Sequence, residues 1–175
     1  TTNNDKVGVI FFSDKVEKFI PPKKGRSHIL RIIRELIALE PSQTGGTNIA
    51  AALEFLTHIQ KKKAITFAIS DFISEQYEKP LQLAARKHDL VGIQVYDKHD
   101  RELPDAGLIQ VTDAETGQMV WLDSSDSAVR ANYVHRFEQH KKYCQQSFRK
   151  SGASLLSIRT NEDYVKALQG FFKAR

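Results

Sequence analysis

Two polar stretches of the sequence carry residue types that can bind a metal ion or a phosphate group. The first is the segment 44–47 (TGGT), which lies directly before an apolar helical pattern. The second is Ser70-Asp71-Phe72, which directly follows the apolar run 64–69. A carboxylate at the end of a buried strand is costly to desolvate unless it has a partner. Asp71 is therefore interpreted as a ligand or a hydrogen-bond anchor, and the alternative is that it only caps the next turn.

The surroundings of the segment 44–47 disfavour a nucleotide site. A P-loop follows a strand and has a lysine after its last glycine, whereas this segment follows a helical pattern that ends at Pro41 and has no lysine after Gly46. A dinucleotide fingerprint needs three spaced glycines, and here two are adjacent. A metal-binding turn and the simple start of a helix both remain open.

The bulk composition predicts one globular domain over residues 1–175. The chain is 41% apolar and 27% charged, with a net charge of +5. Its single cysteine, Cys144, excludes an internal disulfide, and the cysteine falls on an apolar helical stripe that indicates packing. The polar N-terminus shows no signal peptide, and no apolar run reaches the roughly 20 residues that a membrane span needs. We therefore expect a cytoplasmic location and no membrane span in this chain.

Short apolar runs alternate with amphipathic helical patterns along the chain. The runs 7–12, 64–69 and 90–95 are typical of strands buried on both faces, and 16–20 is typical of an edge strand that ends at two prolines. Further elements are a hairpin (108–112 and 118–122), a last strand (155–158), and helices over 27–37, 49–56, 80–87, 129–148 and 161–171. This order predicts an α/β fold with a three-layer, doubly wound, mostly parallel sheet, Rossmann-like in type.

Smaller signals predict local roles for a few polar residues. Thr160 is predicted to cap the last helix. The apolar face of that helix, with Tyr164, Leu168 and Phe171, is predicted to point inward. His88 and Asp89 are interpreted as a structural hydrogen-bonding pair, because the six histidines show no spacing typical of a zinc site.

Two alternative functions depend on charged segments. The acidic segment 97–105 together with Asp71 could serve a metal-dependent hydrolase or phosphatase, although Lys98 and Arg101 interrupt the acidic residues. The helix over 130–150 carries six basic residues against one glutamate and could bind nucleic acid. No aromatic residues interleave with these charges on a strand, so a platform for stacking bases is unsupported, and we expect no nucleic-acid partner.

Several stretches of the sequence resemble one known family. Thr47 in "GGTN" and Asp71 in "AISDF" are similar to the later two elements of a metal-ion-dependent adhesion site in a von Willebrand factor A-like domain. The stretches "NDKVGVIFFSD", "PPKKGRSHILRII", "RKHDLVGIQVYDKHDRELPDAGLIQVTDAETG" and "YVKALQGFF" extend the similarity over essentially the whole chain. On these residues the chain is identified as a member of the bacterial domain-of-unknown-function fifty-eight family.

The resemblance implies a non-enzymatic protein-interaction module. In such a site Mg²⁺ or Mn²⁺ is held by hydroxyl, carboxylate and water oxygens, and an Asp or Glu of a partner protein fills an open coordination position. Here Gly45 and Gly46 would let the backbone turn so that Thr47 faces Asp71, and Asn48 would complete the polar pocket. Members of the family often accompany MoxR-type AAA ATPases, so an adaptor for such an ATPase is the implied role.

One part of the implied fold is missing from the sequence. A von Willebrand factor A-like domain begins with a central strand ending in Asp-x-Ser-x-Ser, and the expectation is an N-terminally incomplete domain with weak or absent metal binding. The strands 7–12 and 64–69 would then flank a gap, and we expect them to pair directly or to exchange segments between molecules. The segment 123–127 (DSSDS) fits Asp-x-Ser-x-Ser, but it is interpreted as a helix cap after a hairpin.

Overall fold

The computed structural model describes residues 5–40, 46–74, 76–112 and 119–175. The described elements alternate between strands and helices, as the sequence predicts. In chain order they are β1 (Val7–Phe12), β2 (Val16–Lys23), α1 (Arg26–Ile37), α2 (Ile49–Ile59), β3 (Ile65–Ser70), α3 (Glu78–Lys87), β4 (Asp89–Tyr96), α4 (Lys98–Arg101), β5 (Leu108–Thr112), β6 (Met119–Asp123), α5 (Ser127–Ser151), β7 (Ser154–Arg159) and α6 (Tyr164–Ala174).

The main sheet has three parallel strands in the order β3-β4-β7. Its register places Ile65 of β3 opposite Asp89 of β4, and Val91 of β4 opposite Ser154 of β7. The long helix α5 and the hairpin of β5 with β6 lie between β4 and β7 in the sequence. The α/β class and the parallel character of the main sheet are thus confirmed.

The strand β1 corrects two expectations. Among the described residues β1 pairs antiparallel with β2 and not with β3, so direct pairing between strands 7–12 and 64–69 is wrong for this chain. Only Phe11 of β1 is buried, so burial on both faces is also wrong. The short connection from Phe12 to Val16 closes a hairpin at little entropic cost. The paired strand β2 runs through both prolines to Lys23, which an edge strand tolerates.

Two apolar clusters pack on opposite faces of the main sheet. Consecutive residues of β4 alternate between them: Leu90 packs with α2, α3 and α5, whereas Val91 and Ile93 pack with α6. Cys144 is fully buried in the first cluster, which confirms its packing role. The first cluster also contains Phe72 and Tyr77, which belong to the loop between β3 and α3.

The strand β3 has one face that is incompletely covered, so the predicted burial of 64–69 on both faces is wrong. Ile65, Phe67 and Ile69 are 67%, 47% and 60% exposed. Their partners in the register place them on the same face as Val91 and Ile93, which α6 covers. Among the described aromatic residues, only Phe172 of α6 contacts this part of β3. Its ring meets the Phe67 ring edge-on, with 6.1 Å between the ring centres. The uncovered side chains lie beside the outer edge of β3, where the described residues provide no pairing strand.

The start of α6 differs from the prediction. Its cap is Asp163, whose Oδ1 accepts hydrogen bonds from the backbone N–H of Val165 and Lys166, both at 3.1 Å, and not Thr160. Tyr164 is 63% exposed, so its inward position is wrong, whereas Leu168 and Phe171 pack against the second cluster as predicted. Asp163, and not Thr160, accepts the free N–H groups of α6 because Asp163 lies directly before the first turn of the helix.

We expect Gly92→Ala to destabilise the fold. A Cβ at this position of β4 would lie 2.4 Å from the ring of Phe148 and 2.8 Å from Leu155. Phe148 is 1% exposed and cannot move aside freely, so the free energy of unfolding in urea should fall by about 1–3 kcal/mol. The matched control is Gly170→Ala in α6, where a Cβ meets nothing within 4 Å. That change should raise stability by about 0.5–1 kcal/mol, and equal effects at both positions would contradict this packing argument.

Candidate functional site

The segment before α2 lies at the carboxyl end of β1. The backbone N–H of Asn48 donates to the carbonyl of Ser13 at 2.7 Å, which ties the start of α2 to the residue after β1. Gly46 has a φ of 93°, a conformation that favours glycine and turns the chain sharply before Thr47. Thr47 is half-buried, and Thr44 and Gly45 lie outside the described residues.

Asn48 is the N-cap of α2. Its side-chain oxygen accepts the backbone N–H of Ala51 at 2.9 Å. Such a bond satisfies one of the N–H groups that a helix leaves open at its first turn, and it is typically worth about 1 kcal/mol. The side-chain oxygen of Asn48 therefore caps the helix, and the role of Asn48 in a polar pocket stays a prediction.

Asp71 is exposed and organises the turn that follows β3. Its Oδ1 accepts the backbone N–H of Ile73 at 3.0 Å and the hydroxyl of Ser70 at 3.2 Å. The Ser70 hydroxyl oxygen in turn accepts the backbone N–H of Phe72 at 3.1 Å. The structure thus realises the turn-capping alternative for Asp71, and this capping uses one of its two carboxylate oxygens.

A buried glutamine of the main sheet is hydrogen-bonded to this turn. Gln94 of β4 is 1% exposed; its amide nitrogen donates to the carbonyl of Asp71 at 3.2 Å, and its oxygen accepts the hydroxyl of Ser157 at 2.9 Å. The side chain therefore joins β4 to the end of β3 and to β7. The sequence analysis missed Gln94, although a lone amide inside the apolar strand "VGIQVY" is a visible signal, since buried amides need partners.

A second polar group that the sequence analysis missed lies at the end of β1. The hydroxyl oxygen of Ser13 is 2.8 Å from Asp14 Oδ1 and 2.5 Å from Glu17 Oε1. The carbonyl of the same Ser13 accepts the backbone N–H of Asn48, so Ser13 links this polar group to the start of α2. The signal in the sequence is the same as for Asp71, namely a polar pair directly after an apolar strand.

Thr47 and Asp71 lie on segments that converge on one core. The next apolar residue after each, Ile49 and Phe72, belongs to the first apolar cluster. A hydroxyl and a carboxylate are suitable donors for Mg²⁺ or Mn²⁺. However, the described part of the chain contains no group of three or more His, Cys, Asp or Glu residues that could hold a metal ion. Two side chains alone do not supply the six oxygen ligands of Mg²⁺, so the described residues do not fit a complete site.

The acidic segment 97–105 is engaged in local structure. Asp97 caps α4 and accepts the backbone N–H of His99 and Asp100, while the Asp100 carboxylate accepts the backbone N–H of Asp97. Asp105 forms an ion pair with Arg130 at 3.5 Å. The short helix α4 was not predicted from the sequence. The hydrolase alternative stays a hypothesis.

The segment 123–127 has the local role that the sequence predicts. Asp123 ends β6, and its Oδ1 accepts the backbone N–H of Ser125 at 3.0 Å and the Ser125 hydroxyl at 2.6 Å. These bonds, led by the hydroxyl, lower the pKa of Asp123. Ser124 is fully buried and donates to the carbonyl of Gly107 at 2.7 Å, and Asp126 caps α5.

The basic residues of α5 have varied surroundings. Arg130 donates to the carbonyl of Ser124 at 2.5 Å in addition to its ion pair with Asp105. The ammonium group of Lys141 lies 5.5 Å from the centre of the Tyr96 ring, within the range of a cation–π contact. The charges are thus partly engaged with the protein itself, and the nucleic-acid alternative stays a hypothesis.

Comparisons with known proteins place the chain among bacterial relatives. A family model described as "Protein of unknown function DUF58" matches residues 1–143. The uncharacterized proteins Rv1480 of Mycobacterium tuberculosis and Mb1516 of Mycobacterium bovis are each 28% identical over 173 residues, which is 98% of this chain and 54% of the relative. The uncharacterized protein MAV169 of Mycobacterium avium is 29% identical over 159 residues, or 89% of this chain and 93% of the relative.

The chain spans about half the length of Rv1480 and Mb1516. No solved structure matches the chain significantly. Within the described ranges, none of the helices combines the length and the apolar character needed to cross a membrane.

We expect Gln94→Leu to destabilise the protein by about 1–3 kcal/mol, because the Asp71 carbonyl and the Ser157 hydroxyl would lose a buried partner. Urea unfolding followed by circular dichroism measures this change. The control is Gln110→Leu on an exposed position of β5, which should change stability by less than about 0.5 kcal/mol. A Gln94→Leu protein as stable as the control would show that the bridge contributes nothing.

Proposed function

The chain belongs to the DUF58 family of proteins of unknown function, and we propose that it is a non-enzymatic protein-interaction module. The observation that supports this proposal is the uncovered apolar face of β3. Ile65, Phe67 and Ile69 expose large side chains in a row beside an edge that has no strand partner in the described parts of the chain. Contiguous exposed apolar side chains and open strand edges are common features of protein-interaction sites.

The geometry of β3 favours an extended segment of a partner protein. An added strand would form backbone hydrogen bonds along the free edge, and its alternate side chains would cover Ile65, Phe67 and Ile69. Residues 61–63 are three exposed lysines, separated from the start of β3 by one alanine. We therefore propose a partner segment with alternating apolar residues and an acidic residue near this end, where the lysines attract it.

The resemblance noted in the sequence supplies a finer form of the proposal. It implies a three-layer von Willebrand factor A-like domain whose partner is a MoxR-type AAA ATPase. In that form a metal ion at Thr47 and Asp71 would bind an Asp or Glu carboxylate of the partner. Because the described residues do not form a complete ligand set, we derive no binding step that passes through a metal ion.

The metal prediction is tested by calorimetry with Mg²⁺ and Mn²⁺. We expect no saturable heat up to about 1 mM cation, since two side-chain oxygens compete poorly with the hydration shell of Mg²⁺. Thr47→Ala and Asp71→Ala should then give traces like that of the unchanged chain. Titration of EDTA with Mg²⁺ verifies the sensitivity of the instrument. Saturable heat that disappears in both variants would contradict the prediction and show a complete site in this chain.

The interaction proposal is tested with a purified MoxR-type AAA ATPase and the immobilised chain in biolayer interferometry. The double variant Ile65→Lys with Ile69→Lys should weaken binding by at least about tenfold, because two buried charges oppose the apolar contact. Leu83→Lys is the matched control, since Leu83 is 58% exposed on α3.

Three outcomes of this experiment separate the parts of the proposal. Equal binding by the double variant and the control would place the interface away from β3. Absence of binding by the unchanged chain would exclude the ATPase as partner. Sedimentation velocity covers self-association: a dimer that the double variant abolishes would show that a second copy of the chain occupies β3.

A further inference from the structure

Helix α1 exposes an apolar stripe on the side that faces away from the hairpin of β1 with β2. Its members, Leu30, Ile33, Leu36 and Ile37, are 51%, 46%, 57% and 81% exposed. Their spacing places them on successive turns of one side of the helix, and we call these four residues the α1 stripe. A contiguous row of large aliphatic side chains in solvent is a common feature of docking surfaces.

The opposite side of α1 is fixed to the β1–β2 hairpin by polar contacts. The ring of His28 is buried, and its Nε2–H donates to the carbonyl of Val7 at 2.8 Å. Two turns later, Glu35 forms an ion pair with Lys18 of β2 at 2.5 Å. His28 and Glu35 are seven residues apart and share one face of the helix, roughly opposite the middle of the α1 stripe. The helix therefore cannot turn this stripe inward without breaking both contacts.

Basic residues border the α1 stripe. Arg34 lies beside it, four residues after Leu30 and three before Ile37, and Arg26 lies one turn before Leu30. Within the described ranges neither arginine forms an ion pair, and Glu35, the one acidic residue in the segment 23–37, is paired with Lys18. The same segment carries five basic residues, namely Lys23, Lys24, Arg26, Arg31 and Arg34. The rim of the stripe is thus strongly positive.

An apolar stripe with a positive rim is complementary to the surface of an anionic lipid bilayer. On such a surface an amphipathic helix lies in the plane of the bilayer, with its aliphatic side chains at the acyl boundary and its cations at the headgroups. A second copy of the chain is a poorer match, because its α1 would bring the same positive charges to the contact. A protein groove is also a poorer match, since the stripe lacks the aromatic residues that typically anchor protein interfaces.

We propose that α1 docks the protein on anionic lipid bilayers. The four side chains of the α1 stripe enter the boundary between headgroups and acyl chains, while Arg26 and Arg34 contact lipid phosphates. The side of the helix with His28 and Glu35 stays on the β1–β2 hairpin, so docking requires no unfolding. This surface is different from the apolar face of β3, and the lipid proposal and the protein-interaction proposal can fail separately.

The lipid proposal is tested by co-sedimentation of the chain with unilamellar vesicles. Vesicles of phosphatidylcholine with about 30% phosphatidylglycerol should bind the chain in a saturable way, and vesicles of phosphatidylcholine alone should bind it at least about tenfold more weakly. Raising the NaCl concentration from about 0.1 M to about 0.5 M should weaken binding to the anionic vesicles severalfold, because salt screens the attraction between arginine and phosphate.

A matched pair of double variants tests the apolar contact. Ile33→Ser with Ile37→Ser should weaken binding to the anionic vesicles by about tenfold or more, because less apolar surface is buried on docking. Ile65→Ser with Ile69→Ser removes the same two side chain types from exposed positions of β3 and should leave vesicle binding unchanged. Circular dichroism confirms that each variant is folded.

A matched pair of single variants tests the charges. Arg34→Gln should weaken binding to the anionic vesicles about fivefold, whereas Arg86→Gln removes the same charge from an exposed position of α3 and should have no effect.

Four results would overturn the lipid proposal. They are equal binding to the two vesicle types, binding by the Ile33→Ser, Ile37→Ser variant that matches the unchanged chain, equal losses in this variant and in the β3 variant, and a dimer in sedimentation velocity that this variant abolishes. The last result would place a second copy of the chain on the α1 stripe.

Discussion

The fold depends on a close approach of the helix α5 to the strand β4 at Gly92. The ring of Phe148 occupies the space that a Cβ on residue 92 would need, at 2.4 Å. The same ring meets Phe72 edge-on, and this contact holds Phe72 in its left-handed conformation at the start of the loop after β3. The absence of one side chain therefore sets the spacing between sheet and helix, and it also fixes Phe72, the residue directly after Asp71.

Elements whose burial follows a clear period could be predicted from the sequence. The parallel strands β3 and β4, the long helix α5 and the packing role of Cys144 follow from apolar runs and helical stripes, which the two core clusters reproduce. The β5–β6 hairpin was also predicted, and its connecting residues 113–118 lie outside the described parts of the chain. These features depend on local periodicity, and a single sequence carries that information directly.

The hydrogen-bond and ion-pair partners of individual polar side chains could not be predicted from the sequence. His88 was assigned to Asp89, yet Asp89 binds Arg175, and the ring nitrogens of His88 are buried with no hydrogen-bond partner among the described residues. Burial, followed by the charge of Lys87, lowers the pKa of His88, so the buried ring is neutral at neutral pH. Gln94 shows the opposite case, a buried polar side chain with both ends satisfied. Each outcome is decided by tertiary contacts that residue spacing does not contain.

The turn at Asp71 joins the two sides of the main sheet. Ile65, Phe67 and Ile69 of β3 lie on the side that α6 covers, whereas Phe72, directly after Asp71, packs with Phe148 in the cluster on the opposite side. Gln94 donates a hydrogen bond to the Asp71 carbonyl from within the sheet, so the end of β3 is held by contacts that do not involve its apolar face. A partner strand on β3 would therefore add contacts on one side of the sheet without replacing those that fix the turn on the other side.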